Sequence, residues 1–113
     1  MPVRNPLRGE IWLVQLDPPR PVVIVSLDVR NCHPGADTVL VIPLTPRTKV
    51  APTHILLPAS ETGLRVDCAA RAEDITVVRK RNLQEPQTRL RQLDDKRLCE
   101  LASKVSVAMG CRP

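Results

Sequence analysis

The first half of the chain alternates between short β-prone apolar runs and proline-rich breaks. Residues 10–16 (EIWLVQL) form one such run, ended by prolines at 18, 19 and 21. Proline has a fixed φ and no amide hydrogen, so residues 17–21 read as a stiff loop outside any ladder. Residues 22–27 (VVIVSL) and 38–44 (TVLVIPL) are continuous β-branched runs, the pattern of strands covered on both faces. Pro43 marks an edge, an end or a bulge in the second. Residues 28–37 and 45–53 read as loops. His54-Ile55-Leu56-Leu57 predicts a short strand stopped at Pro58, residues 61–64 a turn, and residues 66–72 another strand. Residues 74–79 alternate like a half-exposed strand. Short strands divided by turn signals suggest a compact antiparallel barrel or sandwich.

The period changes after Asp94. Leu98, Leu101, Ala102, Val105 and Ala108 recur at helical spacing, Asp94 is a suitable N-cap, and Gly110 is a C-terminal stop. The polar link over residues 83–93 has room for a short helical turn.

Composition sharpens this picture. The 113 residues suggest one domain, 1–113, with 42% apolar residues. Trp12 is the single aromatic residue, so the core must be built from Val, Leu, Ile and Ala around it. No apolar run approaches the ~20 residues that span a bilayer. The first six residues, MPVRNP, lack the apolar segment of a secretory signal, so a cytoplasmic protein with no membrane partner is expected. The formal charge of +5 is spread over the chain and permits a polyanionic partner without demanding one. Cys32, Cys68, Cys99 and Cys111 have no metal-binding spacing and read as free thiols, with Cys68 and Cys99 buried and Cys111 exposed.

Familiar catalytic motifs are absent: there is no G-x-S-x-G, no H-E-x-x-H and no glycine-rich phosphate loop. His33 reads as a loop residue and His54 as a structural strand-end residue. What remains is polar chemistry where strands end. Arg20 stands between Pro19 and Pro21, which restrict the backbone that aims its guanidinium. Thr45 stands where 42–44 runs into the next loop. A planar charged fork and a short hydroxyl donor on neighbouring strand ends suit a phosphodiester.

The blocks Arg8-Gly9-Glu10-Ile11-Trp12, Arg20-Pro21-Val22-Val23-Ile24-Val25-Ser26, Ile42-Pro43-Leu44-Thr45 and Pro52-Thr53-His54-Ile55, in this order, resemble the MazF/PemK toxin family. The resemblance runs over about residues 7–109. It implies a mainly β fold with α: a small SH3-like antiparallel β-barrel with a C-terminal helix. It also implies a homodimer and a metal-independent endoribonuclease that needs no cofactor and cuts single-stranded RNA. The partner it implies is a small acidic antitoxin. The catalytic arginine and hydroxyl of the family fall on Arg20 and Thr45. Pro19, Pro21, Arg47, Lys49 and Asp74 are then expected to contact RNA, from loops 17–21 and 45–53 and from the strand beside them. Two positions depart from the family pattern: Cys68 replaces a serine, and Asp74 replaces a glutamine. The rival functions are a non-catalytic RNA- or protein-binding module on the same barrel, and a toxin acting on a topoisomerase. The run Arg79-Lys80-Arg81 stays unassigned between a solvated face and an RNA contact.

Overall fold

The structure is a computed structural model that describes residues 4–86 and 90–111. The β-prone runs give strands β1 (Ile11–Val14), β2 (Arg20–Ile24), β3 (Thr38–Thr45), β4 (His54–Leu57), β5 (Cys68–Arg71), β6 (Thr76–Arg79) and β7 (Leu83–Gln84). The helices are α1 (Asp28–Asn31), α2 (Ala59–Thr62) and α3 (Asp95–Ala108). The strands pair in the order β4-β5-β3-β2-β1-β7, with β6 added alongside β3, and every pairing is antiparallel. β3 changes partner along its length: Thr38–Val41 pair with β6, Leu44 and Thr45 with β5. β6 and β7 are joined by a single 3-10 turn yet lie on opposite edges of β3-β2-β1. The sheet therefore curls into a barrel-like shape without closing.

Side-chain alternation divides the apolar residues between two cores. Trp12, Val22, Ile24, Val39, Val41 and Leu83 fill the inside of the curl. On the outer face Ile11, Val23, Ile42 and Leu44 pack against Ile55, Leu57 and Ala70, and against Leu98 and Leu101 of α3. Asp94 caps α3 by accepting the Arg97 amide, and Gly110, at φ +86°, turns the chain away after it.

Pro21 belongs to the ladder, opposite Leu13, and not to a loop as its neighbours suggested. The direction of the amides explains this. Ile24 donates to Glu10 on the β1 side and Val25 to Leu40 on the β3 side. By alternation, the missing Pro21 amide falls on the β3 side, one place beyond the last β2–β3 pair, Val22↔Pro43. Pro43 is accommodated likewise, where β3 changes from β6 to β5 and no partner on that side needs its amide.

Other boundaries also shift. Residues 28–37 are not all loop, since α1 opens them. Strand 66–72 shortens to Cys68–Arg71, and strand 74–79 starts only at Thr76, after a 3-10 turn over Ala72–Asp74. On α3, Leu98, Leu101 and Val105 face the core, whereas Ala102 and Ala108 are exposed. Cys99 is exposed rather than buried, because it stands ~100° around the helix from Leu98. Cys68 is buried and Cys111 exposed, as expected. The link 83–93 holds the short β7, and its residues 87–89 lie outside the described residues.

The R-G-E-I-W block is a structural knot. The Glu10 carboxylate accepts bonds from the Leu7 amide (2.7 Å), the Arg4 guanidinium (2.8 Å) and the Trp12 indole (3.1 Å). A Cβ on Gly9, at φ +90°, would stand 2.5 Å from the Leu93 carbonyl oxygen, so only glycine fits. Partial burial works to raise the Glu10 carboxyl, but the Arg4, Leu7 and Trp12 bonds outweigh it and hold the group below the ordinary carboxylate range. A carboxyl lowered by folding stabilises the protein above its unfolded pKa, and that stability is lost as pH falls through the folded one. Glu10→Gln is therefore expected to flatten the acid limb of stability below about pH 4.3, the unperturbed value. Urea unfolding followed by circular dichroism from pH 3 to 7 checks it; an unchanged acid limb would contradict the assignment.

Candidate active site

Arg20 opens β2, and Thr45 ends β3. The two strands are antiparallel with Ile24↔Val41, Val23↔Ile42 and Val22↔Pro43 in register. The ladder stops at Val22↔Pro43; the same register continued two places further would bring Arg20 opposite Thr45. Both share the side-chain parity of Val22 and Val41, which fill the curl, so both lie at its rim on one face. The row extends across the sheet: Val14 pairs with Arg20, Thr45 with Ala69, and Ala69 with Leu56.

The local chemistry leaves both groups available. Arg20 is exposed, and none of the ion pairs among the described residues involves it. The Thr45 hydroxyl accepts the Arg47 amide at 3.3 Å, which leaves its own proton free to donate. Pro19 is exposed in the turn before β2, and Pro21 is half-buried in the ladder behind Arg20. Arg47 and Lys49 are exposed on the loop after β3.

Asp74 stands in the 3-10 turn, two residues before Thr76, whose partner is Val41. It is not an isolated negative charge. Arg71 Nε lies 3.1 Å from its Oδ2, so the carboxylate that departs from the family pattern carries its own counter-charge. Sequence reasoning passed over Arg71, and the strand alternation around it was the available signal. Arg71 pairs with His54 and shares a face with Thr45 through Ala69, two residues before it. Cys68, the other departure, lies in the outer core, 3% exposed. Burial, then the charge of Asp67, pushes its thiol up, which makes it a packing group and not a nucleophile.

His54 is engaged in the fold through both ring nitrogens. Its ring lies between the Lys49 carbonyl and the Glu73 carboxylate. Hydrogen bonding by the Thr53 hydroxyl, then by His54, holds the Glu73 carboxyl below its ordinary range. The Arg79-Lys80-Arg81 run is remote. Arg79 pairs with Thr38, at the opposite end of β3 from Thr45, roughly 23 Å away at ~3.3 Å per residue. Among the described residues no three His, Cys, Asp or Glu side chains are grouped to hold a metal ion, and no helix is long and apolar enough to cross a membrane.

Known proteins share this fold. Endoribonuclease MazF9 of Mycobacterium tuberculosis is 41% identical over 105 residues, covering 78% of this chain and 89% of that protein. Mycobacterium tuberculosis toxin MazF-mt6 superposes with a TM-score of 0.76 at 21% identity, covering 92% of this chain and 99% of that one. A mycobacterial endoribonuclease solved in complex with its cognate antitoxin superposes at 0.73 and 24% identity, covering 93% and 95%. Residues 7–109 match the family model for the PemK-like, MazF-like toxin of type II toxin–antitoxin systems, and with the fold and the curated relative in agreement, the chain belongs to that family.

Proposed function

We propose that this toxin is an endoribonuclease that cuts single-stranded RNA, with Arg20 and Thr45 as its catalytic residues and with no metal in the reaction. The relative matched over most of the chain is named an endoribonuclease, and the family is one of toxins paired with antitoxins. Support for the two roles comes from the β2–β3 register, which, continued two places past its last pair, brings Arg20 and Thr45 together on one face of the sheet.

RNA carries its own nucleophile. The 2′-oxygen attacks the adjacent phosphorus and loses its proton, a 2′-O–P bond forms, the P–O5′ bond breaks, and the 5′-oxygen takes up a proton. The products are a 2′,3′-cyclic phosphate and a 5′-hydroxyl. Arg20 neutralises the charge that builds on the phosphorane, and Thr45 donates to a non-bridging oxygen. Pro19 and Pro21 stiffen the chain around Arg20. Arg47 and Lys49 hold the RNA backbone, and Asp74 with Arg71 lies beside the bases. The chain acts as one domain, as a homodimer in the cytoplasm, and a small acidic antitoxin covers the groove, its charge speeding association with this basic protein.

Thr45→Ala is expected to slow cleavage of a mixed-sequence RNA by ~10²-fold, the cost of removing one preorganised donor. EDTA is expected to leave the wild-type rate unchanged. End analysis should give cyclic phosphates and 5′-hydroxyls. Linear 3′-phosphates formed directly, or loss of activity in EDTA, would overturn the mechanism.

A further inference from the structure

We infer that His54 is a positioning residue: its ring latches the loop between β3 and β4 in the posture that presents Arg47 and Lys49. The RNA part of this inference rests on the reading of that loop under the proposed function.

The latch is visible in the bonds. His54 is the first residue of β4, yet its side chain is only 11% exposed. Its Nδ1 lies 3.2 Å from the Lys49 carbonyl oxygen, in the middle of the loop. Its Nε2 lies 2.6 Å from Glu73 Oε1, in the 3-10 turn. Both oxygens are acceptors. The two ring nitrogens therefore reach from one side chain to the loop and to the turn at once. Around it the end of the loop is tied to the same turn, since the Ala72 amide donates to the Thr53 carbonyl at 3.1 Å. The His54 amide also donates to the Ala51 carbonyl at 3.1 Å. Residues 46–50 are exposed; the Arg47 amide holds their start to the Thr45 hydroxyl, and the Lys49 bond holds the middle of the loop.

The test reads the loop directly, without RNA. Amide hydrogen exchange over residues 46–53, corrected for intrinsic rates, is measured for the wild type and His54→Phe. His54→Phe is expected to lose ~10-fold protection relative to the wild type, while Ile42 and Leu44 stay protected. His54→Gln, whose amide carries two N–H groups, should recover part of the protection, and it carries the test if the phenylalanine variant does not fold. Equal protection of the loop in the variants and the wild type would overturn the latch. Cleavage kinetics give the second arm. In His54→Phe, KM for an RNA oligonucleotide is expected to rise ~5–10-fold with kcat within twofold. A freed loop with unchanged KM would uphold the latch and overturn its role in presenting Arg47 and Lys49 to RNA. A fall in kcat at constant KM would overturn the positioning role in favour of direct catalysis.

Discussion

Arg20→Ala is expected to slow RNA cleavage by at least ~10²–10³-fold while leaving the fold intact. In the proposed mechanism the phosphorane gains charge at the non-bridging oxygens, and the exposed Arg20 guanidinium supplies two parallel donors and a full positive charge there. Nothing in the surrounding ladder depends on that side chain. Arg20 stands two places past the last β2–β3 pair, and among the described residues it has no ion pair to lose. Stability should therefore change by no more than about 0.5 kcal/mol, as for surface substitutions. Arg20→Lys should recover only part of the rate, since an ammonium is a point charge without the planar fork. Single-turnover cleavage of a mixed-sequence RNA, with thermal unfolding measured in parallel, decides it. Cleavage by the alanine variant at the wild-type rate would remove Arg20 from the mechanism.

Trp12→Ala is expected to destabilise the protein by about 3–5 kcal/mol. Trp12 is 1% exposed and is the largest side chain inside the curl. Its removal leaves a cavity lined by Val22, Ile24, Val41 and Leu83, in strands too well paired to collapse inward. It also removes the indole N–H from Glu10 and the ring that lies under the Arg4 guanidinium, 5.0 Å from its centroid. Against a total of about 5–15 kcal/mol this is a large share. Trp12→Phe should lose less, because the ring is largely replaced while the hydrogen bond is not. The chain has no Tyr or Phe, so intrinsic fluorescence vanishes with Trp12, and unfolding has to be followed by circular dichroism in urea. A midpoint within the error of the wild type would mean that the inner core does not depend on Trp12.

The sequence exposed much of this architecture because its strands are uniform in kind. Runs such as 22–27 and 38–44 read as covered strands, although β2 stops at Ile24 and leaves Leu27 exposed, and the stripe Leu98, Leu101, Val105 reads as a helix face. Position along the elements was harder to read. Proline rules placed Pro21 outside the ladder, but whether a missing amide matters depends on which neighbour it would have met, and that is a property of the pairing. Cys99 and Ala102 look apolar enough for the core, yet a 14-residue helix laid on a sheet buries only its narrow stripe. At the candidate site, Arg20 and Thr45 emerged from motifs, while their adjacency follows from register alone. The Arg71–Asp74 and His54–Glu73 pairs join residues that no local spacing links.

β3 belongs to both layers, and this has a consequence in time. Val14 of β1 waits for Leu83, and Ile42 and Leu44 wait for Leu98 and Leu101 to cover them. A ribosome adding ~5–20 residues per second must therefore release nearly the whole chain before the end of the sheet bearing Arg20 and Thr45 is held rigid. On the proposed function, a new copy cuts no RNA until that end is held, an interval in which an antitoxin already present has only to be nearby.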